Sequence, residues 1–165
     1  MRGGHSRIRD GTGDRSECPR RVAHSRRLQV EDRVDRGGNS LEEQAIRLSP
    51  HDPRIGHFYR DIGFVHLLQS RLGEAILWLE RARSAIPELP WTHLLLASAY
   101  GLQGETERAA TELAEARGLQ GGDRHSSIAR IKAFSGGYGG MTPEIRTLLD
   151  ATYIAGLRKA GVPEE

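Results

Sequence analysis

Side chains that could do chemistry are few and widely spaced in this chain of 165 residues. Its seven histidines are scattered, with no two at an i, i+4 spacing and no His-Glu-x-x-His motif, which are the patterns of a helical zinc site. The single cysteine, Cys18, has no second thiol for a disulfide and no evident base to activate it. We therefore predict no catalytic residue, no metal site and no cofactor.

A glycine-rich run at residues 135–140, Ser-Gly-Gly-Tyr-Gly-Gly, is the candidate for a phosphate-binding loop. It lacks the Gly-Lys-Ser/Thr ending of a P-loop, and no predicted strand precedes it. A Gly-x-Ser-x-Gly motif, which would present a serine nucleophile, does not occur either. The run is interpreted as a flexible connector.

Positive charge is concentrated in residues 1–40, which contain ten arginines against six acidic residues, whereas residues 41–165 contain 14 basic and 16 acidic residues. The sequence pI of about 9.0 therefore belongs to the N-terminal segment. This segment has no helical or strand periodicity and too few apolar residues to offset its ordering entropy, which predicts a disordered, arginine-rich leader. Contact with nucleic-acid phosphates through the leader is an alternative that its interleaved acids disfavour.

The elements that must position any binding site lie between Gly56 and Gly121, where one pattern occurs twice. Small residues stand at the same offsets in both copies. Small residues let two helices cross closely, and the period between the copies, about 34 residues, is typical of helix–turn–helix repeats. The positions Gly63, Ala75, Leu79 and Ala82 recur as Ala97, Ala109, Leu113 and Ala116.

This pattern resembles the tetratricopeptide repeat (TPR). The resemblance implies an all-α, antiparallel helix-hairpin solenoid, in which the small residue of each first helix faces the first alanine of the second helix. It also implies that the last alanine of each copy lies where the next repeat packs. The sequence departs from the family at Tyr59 and His93, where tryptophan is preferred.

Proline and glycine predict where the helices of the two full repeats begin and end. Asp52 with Pro53, and then Pro90, have the residue types that start helices, and Gly104 suits a turn between two helices. The predicted helices cover residues 52–69, 72–84 and 90–102, followed by one that runs from the Gly104 turn to about Arg117.

Partial repeats flank the two full ones. Leu41, Ala45 and Leu48 fall on one face of a helix that stops before Pro50. A single helix without a partner is predicted over residues 123–134, because its apolar residues recur every three positions. Each of these partial repeats is expected to expose one face.

The last helix is predicted within residues 142–161, where threonine followed by proline starts it and glycine ends it. Open-ended repeat arrays need an element that covers their last apolar face. We therefore expect this helix to cap the array by inserting Leu148, Leu149 and Leu157 against the preceding helices. The TPR domain as a whole is predicted to span residues 41–165.

Two further segments extend the resemblance, residues 47–53 before the first full repeat and residues 156–164 at the close of the sequence. Both are similar to the closing part of bacterial multidomain regulators, in which a TPR region follows a class III adenylate/guanylate cyclase domain or a winged-helix DNA-binding domain. The resemblance implies a non-catalytic interaction module or scaffold, the C-terminal part of a signalling or transcriptional regulator. The alternative is a fragment of a cyclase-type signalling enzyme whose catalytic domain is absent.

The same resemblance implies a binding groove lined by the first helix of each repeat. The basic residues and asparagine that clamp a partner's terminal carboxylate are not found together there, so the groove is expected to take a helical, apolar protein segment. The chain's own C-terminal helix, or a second copy of the chain in a homodimer, is the alternative occupant. The groove positions carried over are His57, Arg60, Phe64, Leu67, Leu68, Trp91, Leu94, Ser98 and Leu102.

The remaining expectation concerns location. No stretch approaches the roughly 20 apolar residues needed to span a bilayer. No apolar run follows the first arginines, as one would in a secretory signal. We expect a cytoplasmic protein whose partners are proteins or peptides, and not membranes or nucleic acids.

Overall fold

The computed structural model describes residues 40–119, 122–134 and 141–165. Every regular element in these ranges is helical, so the all-α prediction is confirmed for them. The predicted leader, apart from Ser40, and the glycine-rich run at residues 135–140 lie outside the described residues.

The described helices form two hairpins flanked by further helical elements. The first five are α1 (Ser40–Leu48), α2 (Ile55–Leu68), α3 (Leu72–Ala85), α4 (Pro90–Gln103) and α5 (Thr106–Gly118). A 3-10 turn (Gly122–His125) and α6 (Ile128–Phe134) follow. The chain then forms one continuous helix over residues 143–159, called the C-terminal helix below, from α7 (Pro143–Leu149), a π-helical segment (Asp150–Ile154) and α8 (Ala155–Lys159).

The first hairpin, α2 with α3, depends on a close crossing at Gly63. A Cβ atom on Gly63 would lie 2.6 Å from Leu79 Cγ and 3.1 Å from the backbone oxygen of Ala75. Ala75 and Leu79 are fully buried, and the turn between the helices passes through Ser70, whose φ is 59°. The predicted contact of the small residue with Ala75 is confirmed, because a side chain at position 63 would push the helices apart.

The second hairpin, α4 with α5, has small residues in its core at the corresponding positions of the second copy. Ala97 and Ala109 are fully buried. The turn is made by Gly104, whose φ is +83° and whose backbone N–H donates to the carbonyl oxygen of Gly101. This left-handed conformation favours glycine, so the predicted turn role of Gly104 is confirmed.

Helix α4 lies at the centre of the described fold. Its residues from Thr92 to Gly101 are all buried, and it contacts α3, α5 and the C-terminal helix. Its sequence contains no Asp, Glu, Lys or Arg, and a helix without a charged face is one that can be covered on every side. The core therefore surrounds α4.

Helix α2 begins later than predicted. It starts at Ile55 and not at Asp52. The Asp52 carboxylate accepts a hydrogen bond from the backbone N–H of Arg54 at 2.8 Å and pairs with the Arg54 guanidinium at 3.2 Å. Asp52 therefore stabilises a turn that precedes the helix, as aspartate does in many turns, and does not cap the helix itself.

The helix predicted over residues 123–134 is also shorter, because α6 begins only at Ile128. The carbonyl oxygens of Pro163 and Glu164 accept hydrogen bonds from the N–H groups of Ile128 and Ala129, at 2.8 and 3.0 Å. The first N–H groups of a helix have no acceptor within it. Here two acceptors come from residues distant in sequence, so the local pattern could not reveal where α6 begins.

Helix α1 confirms the helix predicted to stop before Pro50. It ends at Leu48, whose side chain is 76% exposed. Helix α1 contacts α2, while Leu48 at the end of α1 is exposed to solvent.

Candidate functional site

The predicted groove positions lie on α2 and α4, and the C-terminal helix packs against both of these helices. Four of the predicted residues are buried, namely Leu67, Leu68, Leu94 and Ser98. The other five are half-buried, namely His57, Arg60, Phe64, Trp91 and Leu102. None of the four buried side chains is accessible to a partner in this structure. The surface formed by α2 and α4, called the α2–α4 face below, is covered by the chain's own C-terminal helix, which was the alternative occupant.

Two polar residues predicted for the groove, His57 and Arg60, are engaged with neighbours on their own helix. The guanidinium of Arg60 donates to the carboxylate of Asp61 at 2.7 Å, and its other end lies 3.1 Å from Nδ1 of His57. A guanidinium satisfied in this way is not held ready for the carboxylate of a partner.

Three aromatic rings join α2, α4 and the C-terminal helix. The ring of Phe64 meets Trp91 edge-on, with the centroids 6.2 Å apart, and the ring of Tyr153 lies 5.3 Å from Trp91. Edge-on and tilted aromatic pairs at such distances add a favourable interaction energy to that gained from the surface area that they bury. Trp91, a predicted groove position, thus links the C-terminal helix to both hairpins.

The C-terminal helix crosses α4 at three small residues, Ser98, Gly101 and Gly156. A Cβ atom on Gly156 would overlap the hydroxyl and the backbone of Ser98, and a Cβ atom on Gly101 would overlap the backbone oxygen of Gly156. The Ser98 hydroxyl donates a 2.8 Å hydrogen bond to the carbonyl oxygen of Tyr153. The two helices therefore meet backbone to backbone, which only small residues allow.

Sequence reasoning included Ser98 but missed Gly101 and Gly156. A signal was present, since Ser98 and Gly101 are three residues apart on α4 and Gly156 and Ala160 are four residues apart at the end of the chain. Small residues at these spacings share one face of a helix. That signal identifies a close crossing but not which helix is the partner.

Tyr153 lies in the π-helical segment, and burial of its side chain is unfavourable for the hydroxyl group. The side chain is 2% exposed, and among the described residues its hydroxyl has no hydrogen-bond partner. Burial raises the pKa of the phenol. The neighbouring Thr152 hydroxyl, by contrast, donates to the carbonyl oxygen of Leu148 at 2.7 Å. The ring of Tyr153 therefore gains packing on Trp91 while its hydroxyl keeps a desolvation penalty.

The leucines predicted to insert from the C-terminal helix do so in part. Leu149 and Leu157 are buried, whereas Leu148 is half-buried. A salt bridge of 2.7 Å between Lys132 on α6 and Asp150 in the π-helical segment adds a second attachment. The C-terminal helix is therefore attached to α6 at its middle, through Asp150, and again through the carbonyl oxygens of Pro163 and Glu164 that follow it.

A buried ionic cluster links the two hairpins away from this face. Glu112 on α5 accepts from Arg83 on α3 through one carboxylate oxygen and lies 2.7 Å from Nδ1 of His93 through the other. The second ring nitrogen of His93 lies 2.7 Å from the carbonyl oxygen of Pro87. Because both ring nitrogens face acceptors, the protonated imidazolium satisfies the site, and the hydrogen bond with Glu112 raises the pKa of His93.

Trp78 covers the seam between α2 and α3. Its ring lies 5.7 Å from the ring of Tyr59 on α2, and the guanidinium of Arg81 stands 4.8 Å from the ring centroid. Leu77 beside it is 49% exposed. The aromatic pair therefore closes the outer side of the first hairpin.

In the part of the chain that the structure describes, no group of three His, Cys, Asp or Glu side chains could hold a metal ion. None of the described helices has both the length and the apolar character needed to cross a membrane. Comparison with known proteins gives no matching family model, no matching curated protein and no matching solved structure. Function must therefore be inferred from the α2–α4 face itself.

Proposed function

We propose that the chain is a TPR-type repeat protein that acts as a non-catalytic protein–protein interaction module, with the α2–α4 face as its binding surface. The observation that carries the proposal is that this face holds an amphipathic helix, anchored by Tyr153 and Leu157. A face that accepts one helix through apolar and small residues suits a partner helix by the same chemistry.

Support for the repeat architecture comes from the two hairpins. Their small residues recur at a constant offset in the sequence and are buried in both copies. On this proposal, residues 41–165 are the C-terminal interaction region of a bacterial signalling or transcriptional regulator that works in the cytoplasm. The region serves as a scaffold, and a catalytic or DNA-binding activity belongs to another part of the regulator.

The chemistry of the face defines the partner. Phe64 and Trp91 offer aromatic surface, and such residues dominate the energetics of many interfaces. Arg60 is paired with Asp61, so a free carboxyl terminus is not the ligand that the face favours. We propose a protein or peptide segment that binds as an apolar helix.

The test is affinity capture with the full chain, comparing wild type with Trp91→Ala and with the control Leu48→Ala. Leu48 is an exposed leucine outside the α2–α4 face, so its removal should leave capture unchanged. We expect Trp91→Ala to reduce retention of a specific protein at least tenfold. A partner retained equally by Trp91→Ala, or a nucleic acid recovered in its place, contradicts the proposal.

A further inference from the structure

The C-terminal helix sits on the α2–α4 face in the manner of a bound ligand. One stripe of it is buried against the hairpins, including Tyr153, Gly156 and Leu157. The opposite side is exposed at Glu144, Thr147, Ala151 and Arg158, and it is half-buried at Ala155. The helix is thus amphipathic, with a single side committed to the rest of the fold.

Two features of this docked helix weaken its attachment to the face. Its middle is π-helical over Asp150–Ile154, and such segments are rare in helices and frequent at functional sites. The hydroxyl of Tyr153, in the same segment, is buried without a hydrogen-bond partner among the described residues. An unsatisfied buried hydroxyl opposes burial of the ring that carries it. The helix is therefore bound less tightly than its apolar contacts alone would make it.

We propose that the C-terminal helix is an internal competitor, which occupies the α2–α4 face until an amphipathic partner helix displaces it. This inference rests on the proposed function and adds its regulation. The first hairpin keeps its crossing at Gly63, where the nearest atoms belong to Ala75 and Leu79 of α3 and not to the C-terminal helix. A binding partner thus exchanges one helix for another and leaves the hairpins folded.

The docked helix also defines the chemistry of the partner. A glycine is required where Gly156 meets Ser98, because even a Cβ atom overlaps the serine there. An aromatic residue three positions earlier would take the place of Tyr153 on Trp91, and a leucine would follow the glycine. The partner sequence is therefore aromatic–x–x–Gly–Leu. Phenylalanine in its aromatic position keeps the ring and lacks the unsatisfied hydroxyl. A partner helix with phenylalanine there therefore binds more tightly than the chain's own segment, which has tyrosine.

The C-terminal helix belongs to the same chain as the α2–α4 face, and this covalent connection determines the affinity that a partner needs. A competitor on the same chain acts at an effective concentration on the order of millimolar. A partner that binds the free face no better than the internal helix therefore displaces little of it at micromolar concentration. Selectivity for a better-fitting helix follows from this competition.

Hydrogen exchange of the unmodified full chain tests whether the helix opens separately. Amides of residues 147–158 are expected to exchange at least tenfold faster than amides of residues 94–100, because local opening of the C-terminal helix precedes global unfolding. Equal protection of the two segments would show that the helix leaves only when the whole fold is lost, and that result overturns the inference.

Peptide binding tests the partner chemistry. The receptor is the full chain carrying Gly156→Leu, which weakens the internal helix, together with Trp78→Phe, so that fluorescence reports Trp91 alone. Peptides of residues 141–165 are added as wild type, as Tyr153→Phe and as Gly156→Leu. We expect the phenylalanine peptide to bind at least threefold more tightly than wild type, and the leucine peptide to bind at least tenfold more weakly. Equal binding of all three peptides overturns the inference. Loss of the helical circular dichroism signal of the receptor overturns it too, because the hairpins would then not stay folded without the internal helix.

These outcomes are distinct from those of the capture experiment. If a cellular partner needs Trp91 while residues 147–158 keep their exchange protection, the proposed function stands and the internal competitor does not. If the peptides bind in the expected order while capture yields no Trp91-dependent protein, the opposite holds.

Discussion

Nδ1 of His93 lies 2.7 Å from Oε2 of Glu112, and this buried contact joins the two helices of the second hairpin. The other carboxylate oxygen of Glu112 accepts from Arg83 on the first hairpin. One carboxylate therefore connects three helices, α3, α4 and α5. Its value to the fold depends on the histidine being protonated, since both ring nitrogens face oxygen acceptors.

The first prediction concerns pH. The pKa of His93 is raised in the folded chain, chiefly by the hydrogen bond with Glu112, from about 6.5 in the unfolded chain. Its contribution to the free energy of unfolding is therefore complete below about pH 6.5 and is lost as the pH rises through the raised pKa. His93→Gln should lower the free energy of unfolding by about 2 kcal/mol at pH 6 and by less at pH 9, as measured by urea unfolding.

The pKa values of two other histidines shift in the opposite direction, so their effect on stability must be separated from that of His93. Burial lowers the pKa of His66 and of His125, so their contributions are complete above about pH 6.5 and are lost as the pH falls through the lowered values. Both remain in His93→Gln, so the difference between that variant and wild type isolates His93. A difference that does not change with pH contradicts the imidazolium at position 93.

The second prediction compares two buried tyrosines. The Tyr100 hydroxyl donates to Glu80 at 2.7 Å and accepts from Arg108 at 2.6 Å, whereas the Tyr153 hydroxyl has no partner among the described residues. Tyr100→Phe should lower the free energy of unfolding by about 1–2 kcal/mol, and Tyr153→Phe should leave it unchanged or raise it by up to about 1 kcal/mol. Urea denaturation followed by circular dichroism measures both. Equal losses would mean that the Tyr153 hydroxyl is satisfied after all.

The third prediction tests the hairpin crossings. Ala75→Leu or Ala109→Leu adds bulk where two helices touch, and each should cost about 1–3 kcal/mol of stability. Both alanines are fully buried. Arg71→Ala, in the exposed turn between α2 and α3, is the control and should cost far less. Thermal unfolding that ranks these variants in the other order would contradict the repeat register.

The fourth prediction concerns removal of the C-terminal helix. Truncation after Gly140 uncovers Trp91 and the small residues at Ser98 and Gly101, so the shortened chain should associate at micromolar concentrations. Sedimentation of the full and the truncated chain measures this. A truncated chain that stays monomeric and equally stable would show that the helix covers no cohesive surface. A full chain that is already dimeric would instead support the homodimer considered in the sequence analysis.

Much of the helical fold could be predicted from sequence because its determinants are local. Gly104 has the positive φ that its turn requires, and Gly63 lies at the crossing where a small residue was needed. The hairpin pattern occurs twice at a constant offset, and the second occurrence supports the interpretation of the first. Periodicity, turn chemistry and small-residue spacing indicate the same hairpins.

The candidate site was less predictable because it depends on contacts between distant segments. The resemblance identified Phe64 and Trp91 as groove residues, but only the structure shows Tyr153 packed against Trp91. The pairing of Gly156 with Ser98 joins two helices that are far apart in the sequence, and one sequence does not record such pairs. The same limit applies to His93, whose role depends on a carboxylate from another helix.

The bonds from Ile128 and Ala129 to Pro163 and Glu164 also bear on the order of events during synthesis. A ribosome delivers the chain from its N-terminus, so the hairpins and α6 emerge before the residues that accept the first N–H groups of α6. Domains fold largely in the order in which they emerge. The two hairpins can therefore assemble while translation continues, with the α2–α4 face still uncovered. For that interval the nascent chain exposes the α2–α4 face, which is covered once residues 143–164 have emerged.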